Sequence, residues 1–472
     1  MTAQLPTEIW WKILEFLPLH DVVRVGRVNA VFLEIARELR YRNLKFVGYD
    51  RETERKLENI RSLSLGHHVR SLYIHPEAWN VFAPIQRKRS LAKMLASTAH
   101  RLRAVFDSDY KTRKKLARKM ERMNGQIQLV IETMKTLEQV EQYRFVWPEN
   151  HNYFYRKAWP GNAEVTITFL SLLTIPSFCG NLTKLDLSIP ANTLESLALV
   201  KMPSLENFDI SLLERPRGSD EYLGHLAILL SGTSATLQTL SISCYDPSLT
   251  LDHDFAQFFC LLCKADFPHL YSFHFHIWSE PLRSLAVDFN KFILRISHRL
   301  NDLKLCHAPR DSWPFHPPQL NDRSWISDLF GMQGITNMFS SLTLLRLNGG
   351  SLPINIAILS AVLSSVAQHL EELVLEDQLL TSDEVKMVVR ALSLSYSPLR
   401  HLSIELKDLS PNIFDLLALK FPQLQSLKLS FKFLSSSATP QSFLAEDSLQ
   451  LMSPNMPLSM VSLMPLIISG SS

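Results

Sequence analysis

The chain has 472 residues, 79 of them leucine and only 14 glycine, and carries a formal charge of +3. That length allows two or three domains or one elongated repeat array, and a hydrophobic content of 46% excludes wholesale disorder. Glycine this scarce, with neither a G-x-x-x-x-G-K nor a G-x-G-x-x-G run, argues against nucleotide folds built on glycine-rich phosphate loops.

Residues 5–45 read as three short helices. Thr7, directly after Pro6, is the expected N-cap of the first, and Ile9, Ile13, Leu14 and Leu17 form its apolar stripe before Pro18 ends it. Asp21 opens a second turn through Val22, Val23 and Val25, which Gly26 closes. Asn29 starts a third helix with Phe32, Ile35, Ala36 and Leu39 at i, i+3, i+4 and i+7. So small a bundle is marginal alone and must dock on the following domain, on a partner, or on both.

Leu5-Pro6-x-Glu8-Ile9, Ile13-Leu14-x-x-Leu17, Asp21-Val22-Val23-Arg24-Val25 and Arg27-Val28-Asn29 together resemble the F-box. This is the helical module that binds the Skp-family adaptor of cullin–RING ubiquitin ligases. The resemblance implies that Leu5, Pro6, Ile9, Ile13, Leu14, Leu17, Val22, Val25 and Val28 are adaptor-contacting or core positions. Phe32 stands where the family has a tryptophan, and Asn29 where it has a cysteine, so the last helix is expected to pack somewhat differently on the adaptor. The other reading of the same helices is an amphipathic cap over the end of a repeat array.

Further along, Val69-Leu72-Ile74 and Val140-Tyr143-Phe145 read as two weak strands, and Ile60-Leu63-Leu65 as a helix end. Between the two strands Leu116, Met120, Met123, Ile127, Val130, Met134 and Leu137 keep 4-3 spacing, read as a helix packed on its own array. Seven basic residues between Lys111 and Arg122 face only Glu121, a local charge of +6 that leaves −3 for the rest. A solvated helical face explains this stripe better than nucleic acid, because no aromatic side chains are interleaved with it.

From residue 182 the pattern L-x-x-[LF]-x-[LIF] recurs, the spacing a short strand needs to bury alternate residues while neighbouring units stack sideways. Fifteen matches occur where composition alone gives about five. Those from Leu14, Leu170, Leu194, Leu223 and Leu416 lie in helix-like stretches, and the one from Leu463 sits among prolines. The remaining nine, starting at Leu182, Leu205, Leu237, Leu270, Leu300, Leu342, Leu370, Leu399 and Leu424, are expected to be strands. Thr381 with Glu384 forms a capping box between two of them, and Ser410-Pro411 starts another helix. Residues 306–341 read as a proline-rich inserted loop returning through a helix from about Ser324. The last four repeats carry an apolar residue ten positions after the first leucine, at Leu352, Leu380, Leu409 and Leu434, which resembles leucine-rich repeats further.

The expected fold is therefore α/β: an all-α F-box over 1–45, then an irregular leucine-rich-repeat-like solenoid over 46–434, with parallel strands on the concave side and helices on the convex side. A Ser/Pro/Met-rich tail over 435–472 lacks periodicity and is expected to be disordered. Five scattered cysteines, no secretory leader pattern and no charge-free apolar run of membrane length point to a cytoplasmic or nuclear protein.

No catalytic signature appears, so no enzyme activity, cofactor or metal is expected. Cys260-x-x-Cys263 with His269, His274 and His276 looks like a zinc set only superficially, since its cysteines fall in an apolar run and not on a turn. On the exposed strand face the fifth repeat position turns basic at His274, Lys304 and Arg346, a candidate patch for an acidic segment of a protein target. The resemblance implies a substrate receptor of a Skp–cullin–F-box ligase. The alternative is a leucine-rich scaffold with no ligase role.

Overall fold

The computed structural model describes residues 6–47, 50–75, 118, 121, 125–126, 128–146, 169–213, 222–244, 252–277, 285–307, 330, 339–348, 354–393, 397–434 and 461–465. The chain forms two compact units, Met1–Ile189 with Leu199–Leu205, and Pro190–Ala198 with Glu206–Ser472.

The first unit begins with three helices, α1 (Thr7–Glu15), α2 (Leu19–Val25) and α3 (Ala30–Tyr41). Pro6, not Thr7, occupies the N-cap of α1 and makes no side-chain cap bond. Asn29 caps α3 as its residue type favours, its Oδ1 accepting from the Phe32 amide at 2.8 Å. Leu14, Phe32 and Ile35 form the small core of the three helices, with Trp10, Trp11, Val25 and Leu39 packed around it. Phe32, at the position where a tryptophan was expected by resemblance, meets Trp10 edge-on, ring centroids 4.8 Å apart.

Four strands follow: β1 (Asn43–Phe46), β2 (Ser71–Ile74), β3 (Gln142–Val146) and β4 (Lys184–Ile189). β1–β2, β2–β3 and β3–β4 pair in parallel without a register break. β1 straddles the boundary expected at 45/46 and was not foreseen. The motif is nonetheless present as Tyr41-x-x-Leu44-x-Phe46, with a buried tyrosine in the first leucine's place. α4 (Arg51–Ser62) ends at Leu63, so Ile60 lies in a helix as read from the sequence. Val130, Met134 and Leu137 of the 4-3 seam are buried, while its earlier apolar positions and most of the basic stripe lie outside the described residues.

The second unit holds β5 (Asn207–Leu212), β6 (Thr239–Cys244), β7 (Ser272–Ile277), β8 (Asp302–His307), β9 (Leu344–Asn348), β10 (Glu372–Leu380), β11 (His401–Leu409), β12 (Ser426–Leu434) and β13 (Val461–Pro465). Neighbours from β5 to β13 pair in parallel in chain order. Helices return the chain between strands: α5 (Tyr222–Thr233), α6 (Asp252–Leu262), α7 (Leu285–Ile296), α8 (Ile356–Val366), α9 (Ser382–Leu392) and α10 (Pro411–Lys420). α5 packs on α6, α6 on α7, and α8 on α9, which makes a helix layer beside the strand layer. All nine motif-predicted segments are strands, and the fold is α/β, a leucine-rich-repeat-like solenoid.

One backbone bond pattern recurs at the entry to the strands. The carbonyl of Arg42 accepts from the amides of Arg70 and Ser71, and that of Arg70 from Glu141 and Gln142. The same double acceptance continues from Glu206, Gln238, Tyr271, Asn301, Thr343, Glu371 and Arg400 to the following repeat. Alternate side chains point inward, so Leu185, Leu187, Leu240, Ile242, Phe273, Phe275, Leu303 and Leu305 are almost fully buried. The densest packing gathers Phe255, Phe258 and Phe259 of α6, Phe273 and Phe275 of β7, and Phe289 and Phe292 of α7.

Two departures from the sequence reading stand out here. The rejected region around Leu463 contributes β13, inside the stretch 435–472 expected to be disordered. Its isolated motif among prolines gave no signal because the pairing edge comes from β12, not from local periodicity. In β10 the register shifts between Leu375 and Leu379, and Asp377 sits in the left-handed region at φ 56°. The loop expected over 306–341 begins after β8 ends at His307, and its interior, including the expected helix start at Ser324, lies outside the described residues apart from Phe330. Leu352 likewise lies outside them, whereas Leu380 and Leu409 are buried.

Candidate protein-interaction surfaces

The helices of the first unit present apolar side chains to solvent. Ile9 and Ile13 stand at i and i+4 on α1, Phe16 and Leu17 follow just past its end, and Leu14, about 100° round the helix from Ile13, turns to the core. Ile9 is 43% exposed, Ile13 42%, Leu17 38% and Phe16 88%. Val23, Val28, Val31 and Leu33 add exposed apolar surface from α2, the turn after it and α3. Eight of the eighteen large exposed hydrophobic residues among those described thus fall between positions 9 and 33. Scattered single residues of this kind are ordinary, and this concentration makes the helical segment the candidate interaction surface.

The nine positions named from the F-box resemblance divide clearly. Pro6, Ile9, Ile13, Leu17 and Val28 are exposed, Leu14 and Val22 are buried, and Val25 is half-buried. Leu5 lies outside the described residues. Phe16 was not singled out from the sequence, although it is the most exposed of these residues.

The second surface is the exposed face of the strands. His274, Lys304 and Arg346 occupy directly paired positions on β7, β8 and β9. Each, however, already has an acidic partner. His274 Nε2 lies 2.8 Å from Asp302 Oδ2, and Lys304 Nζ lies 3.3 Å from the same oxygen. Ser272 Oγ donates to that oxygen at 3.0 Å. Burial alone would raise the Asp302 carboxyl, but the hydrogen bond and charge of His274, the charge of Lys304 and the Ser272 hydrogen bond outweigh it and hold it below the usual carboxylate range. Arg346 donates to both oxygens of Glu376, Nη2 to Oε1 and Oε2 at 2.7 Å each. The row is therefore a set of locked charge pairs, with directional acceptors as well as donors.

A third row, in the first unit, was missed by sequence reasoning. Lys45, Tyr73, Arg144 and Asp186 are paired across β1 to β4. Lys45 Nζ stands 5.0 Å and the Arg144 guanidinium 5.3 Å from the Tyr73 ring centroid, and Arg144 Nε meets Asp186 Oδ2 at 2.9 Å. The available signal was the fifth repeat position, which names Tyr73 and Arg144 once the weak strands are included.

The considered zinc set is not assembled. Cys260 lies on α6 and Cys263 just beyond its end, whereas His274 lies on the exposed strand face against Asp302. Burial raises the Cys179 thiol to about 12 and the Cys306 thiol to about 11, values that leave both poor nucleophiles. No helix among the described residues is long and apolar enough to cross a membrane.

No family model matches the sequence, and no curated protein matches it. Solved structures similar to the chain include Rad7 in its complex with Elc1 from yeast, 16% identical with a TM-score of 0.37, covering 75% of this chain and 96% of that one. The leucine-rich repeat-containing protein LegL7 from Legionella pneumophila is another, 14% identical with a TM-score of 0.36, covering 70% of this chain and 96% of that one. At those scores the likenesses carry no argument. The architecture rests on strand order, register and the buried repeat positions.

Proposed function

We propose that this chain is a substrate-recognition subunit of a Skp–cullin–F-box ubiquitin ligase. In this reading α1 to α3 bind the Skp-family adaptor, and through it a cullin–RING ligase, while the strand faces bind a protein target. The observation that carries it is the exposure of Ile9 and Ile13 on α1, with Phe16 and Leu17 just past its end, on a helix that Leu14 locks to α3. A helix laid into a groove reads out this i, i+4 spacing.

The chain itself breaks no bond. It raises the effective concentration of its target near a ubiquitin-loaded enzyme carried elsewhere on the complex. His274, Lys304 and Arg346 take an acidic target segment by exchanging their internal carboxylate partners for the target's, which favours selectivity over raw affinity. Cytosol or nucleus is the compartment this role requires, with no membrane or nucleic acid partner.

A cap without ligase function is the second reading, favoured by the burial of Phe32, Ile35, Ala36 and Tyr41 on α3. It leaves the exposed Ile9 and Ile13 of α1 without a role. Co-expression with a Skp-family adaptor separates the two: co-purification that Ile9→Asp with Ile13→Asp abolishes, while the repeats stay folded, supports the ligase reading. Failure of the unsubstituted chain to co-purify supports the cap.

A further inference from the structure

Glu34, on α3, faces a short turn of helix, Leu65–His68, that leads into β2. Among the described residues, Glu34, His67 and His68 are the only group of three or more metal-ligating side chains, their ligand atoms all within 4.8 Å of one another. His68 is 4% exposed, and its Nε2 has no hydrogen-bond partner although Glu34 Oε1 is 3.3 Å away. A buried ring nitrogen left in this state is costly unless something fills the gap. His67 Nε2 stands 3.8 Å from the same Oε1, while its Nδ1 is 2.9 Å from the carbonyl oxygen of Ser64. That carbonyl fixes the proton on Nδ1 and leaves the Nε2 lone pair for a ligand, the arrangement of a metal-bound histidine and its supporting acceptor.

We propose that Glu34, His67 and His68 form a binding site for a divalent transition ion of the zinc class. An ion about 2.0–2.1 Å from each ligand in tetrahedral geometry needs ligand atoms separated by about 3.4 Å. The Glu34–His68 separation already meets this, and Glu34 and His67 are exposed enough to close the remainder. Arg37 Nη1, at 3.7 Å, engages Oε2 of Glu34 and leaves Oε1 to the site. Two imidazoles and one carboxylate suit zinc better than magnesium or calcium, and the exposed side leaves the fourth position to water. Because Glu34 belongs to the helical module and the histidines to the entry of β2, the ion pins the module to the first repeats.

The test is calorimetric titration of the purified, chelator-treated full chain with Zn²⁺ alone, for wild type, Glu34→Gln and His67→Ala. Both substitutions change exposed side chains, and thermal melts of the metal-free proteins check that each variant is folded. The expected result is one equivalent of Zn²⁺ bound by wild type, at least tenfold weaker binding by each variant, and a rise in melting temperature with Zn²⁺ in wild type alone. Absence of stoichiometric binding to wild type, or equal affinity in the variants, would overturn the proposal.

Discussion

Glu405 shows how a single side chain carries the cost of a repeat's irregularity. It sits on β11 beside the β10 bulge, and its carboxyl is raised above the ordinary value by burial first, then by the charges of Asp377 and Glu376. Lys428 and the Asp377 backbone amide offset this only in part. Since the folded chain holds this proton more firmly than the unfolded one, stability falls as pH rises from about the reference 4.5 through the raised folded value. Glu405→Gln should therefore raise the melting temperature at pH 7, with the gain fading below pH 4.5; an equal gain in acid would contradict this origin. Phe259 lies at the opposite extreme, fully buried between Phe258, Phe275, Phe289 and Phe292. Phe259→Ala should cost about 3–5 kcal/mol in denaturant unfolding, because the rigid rings packed around it cannot all collapse into the space.

Among the elements, those whose burial follows strict alternation were the legible ones. The nine strands from β4 to β12 each bury a leucine, a leucine or phenylalanine, and a second large apolar residue at fixed offsets, so the motif reports the packing directly. β1 escaped because Tyr41 fills the leucine slot, and β13 because its partner edge is nonlocal. The bulge in β10 left no periodic trace, since Asp377 adopts its left-handed backbone without a glycine to mark it. Capping was readable at Asn29, Thr381 and Ser410, whereas Pro6 and Pro18 hold the N-caps read as Thr7 and Asp21. Thr381 and Glu384 form the reciprocal box, with the Thr381 amide donating to Glu384 Oε2 at 2.7 Å. Thr381→Ala should destabilise the protein by about 1 kcal/mol by urea titration, and no change would mean that α9 is held by packing alone.

For the molecule as a whole, repeat spacing in the sequence fixes which residues align across strands but not what each one pairs with. The basic row at His274, Lys304 and Arg346 is where repeat arithmetic put it, but its cations are already paired because Asp302 and Glu376 lie at neighbouring repeat positions. Asp302 sits at the third repeat position and Glu376 at the seventh, and only the contact between neighbouring strands shows which cation each one meets. The three helices were legible from apolar spacing, while the exposure of Ile9 and Ile13 depends on how α3 folds back over Leu14. The proposed adaptor contact depends on the exposed Ile9 and Ile13. Burying one isoleucine side chain gives about 1.5–3 kcal/mol, and forcing a carboxylate into the same contact adds a further desolvation cost. The most direct measurement is calorimetric titration of the purified full chain with a Skp-family adaptor, beside Ile13→Asp at an unchanged melting temperature. Saturable one-to-one binding that weakens about a hundredfold or more in the variant, about 2.8 kcal/mol, is the expected result; no binding by the unsubstituted chain, or equal binding by the two, would contradict adaptor recognition through this helix.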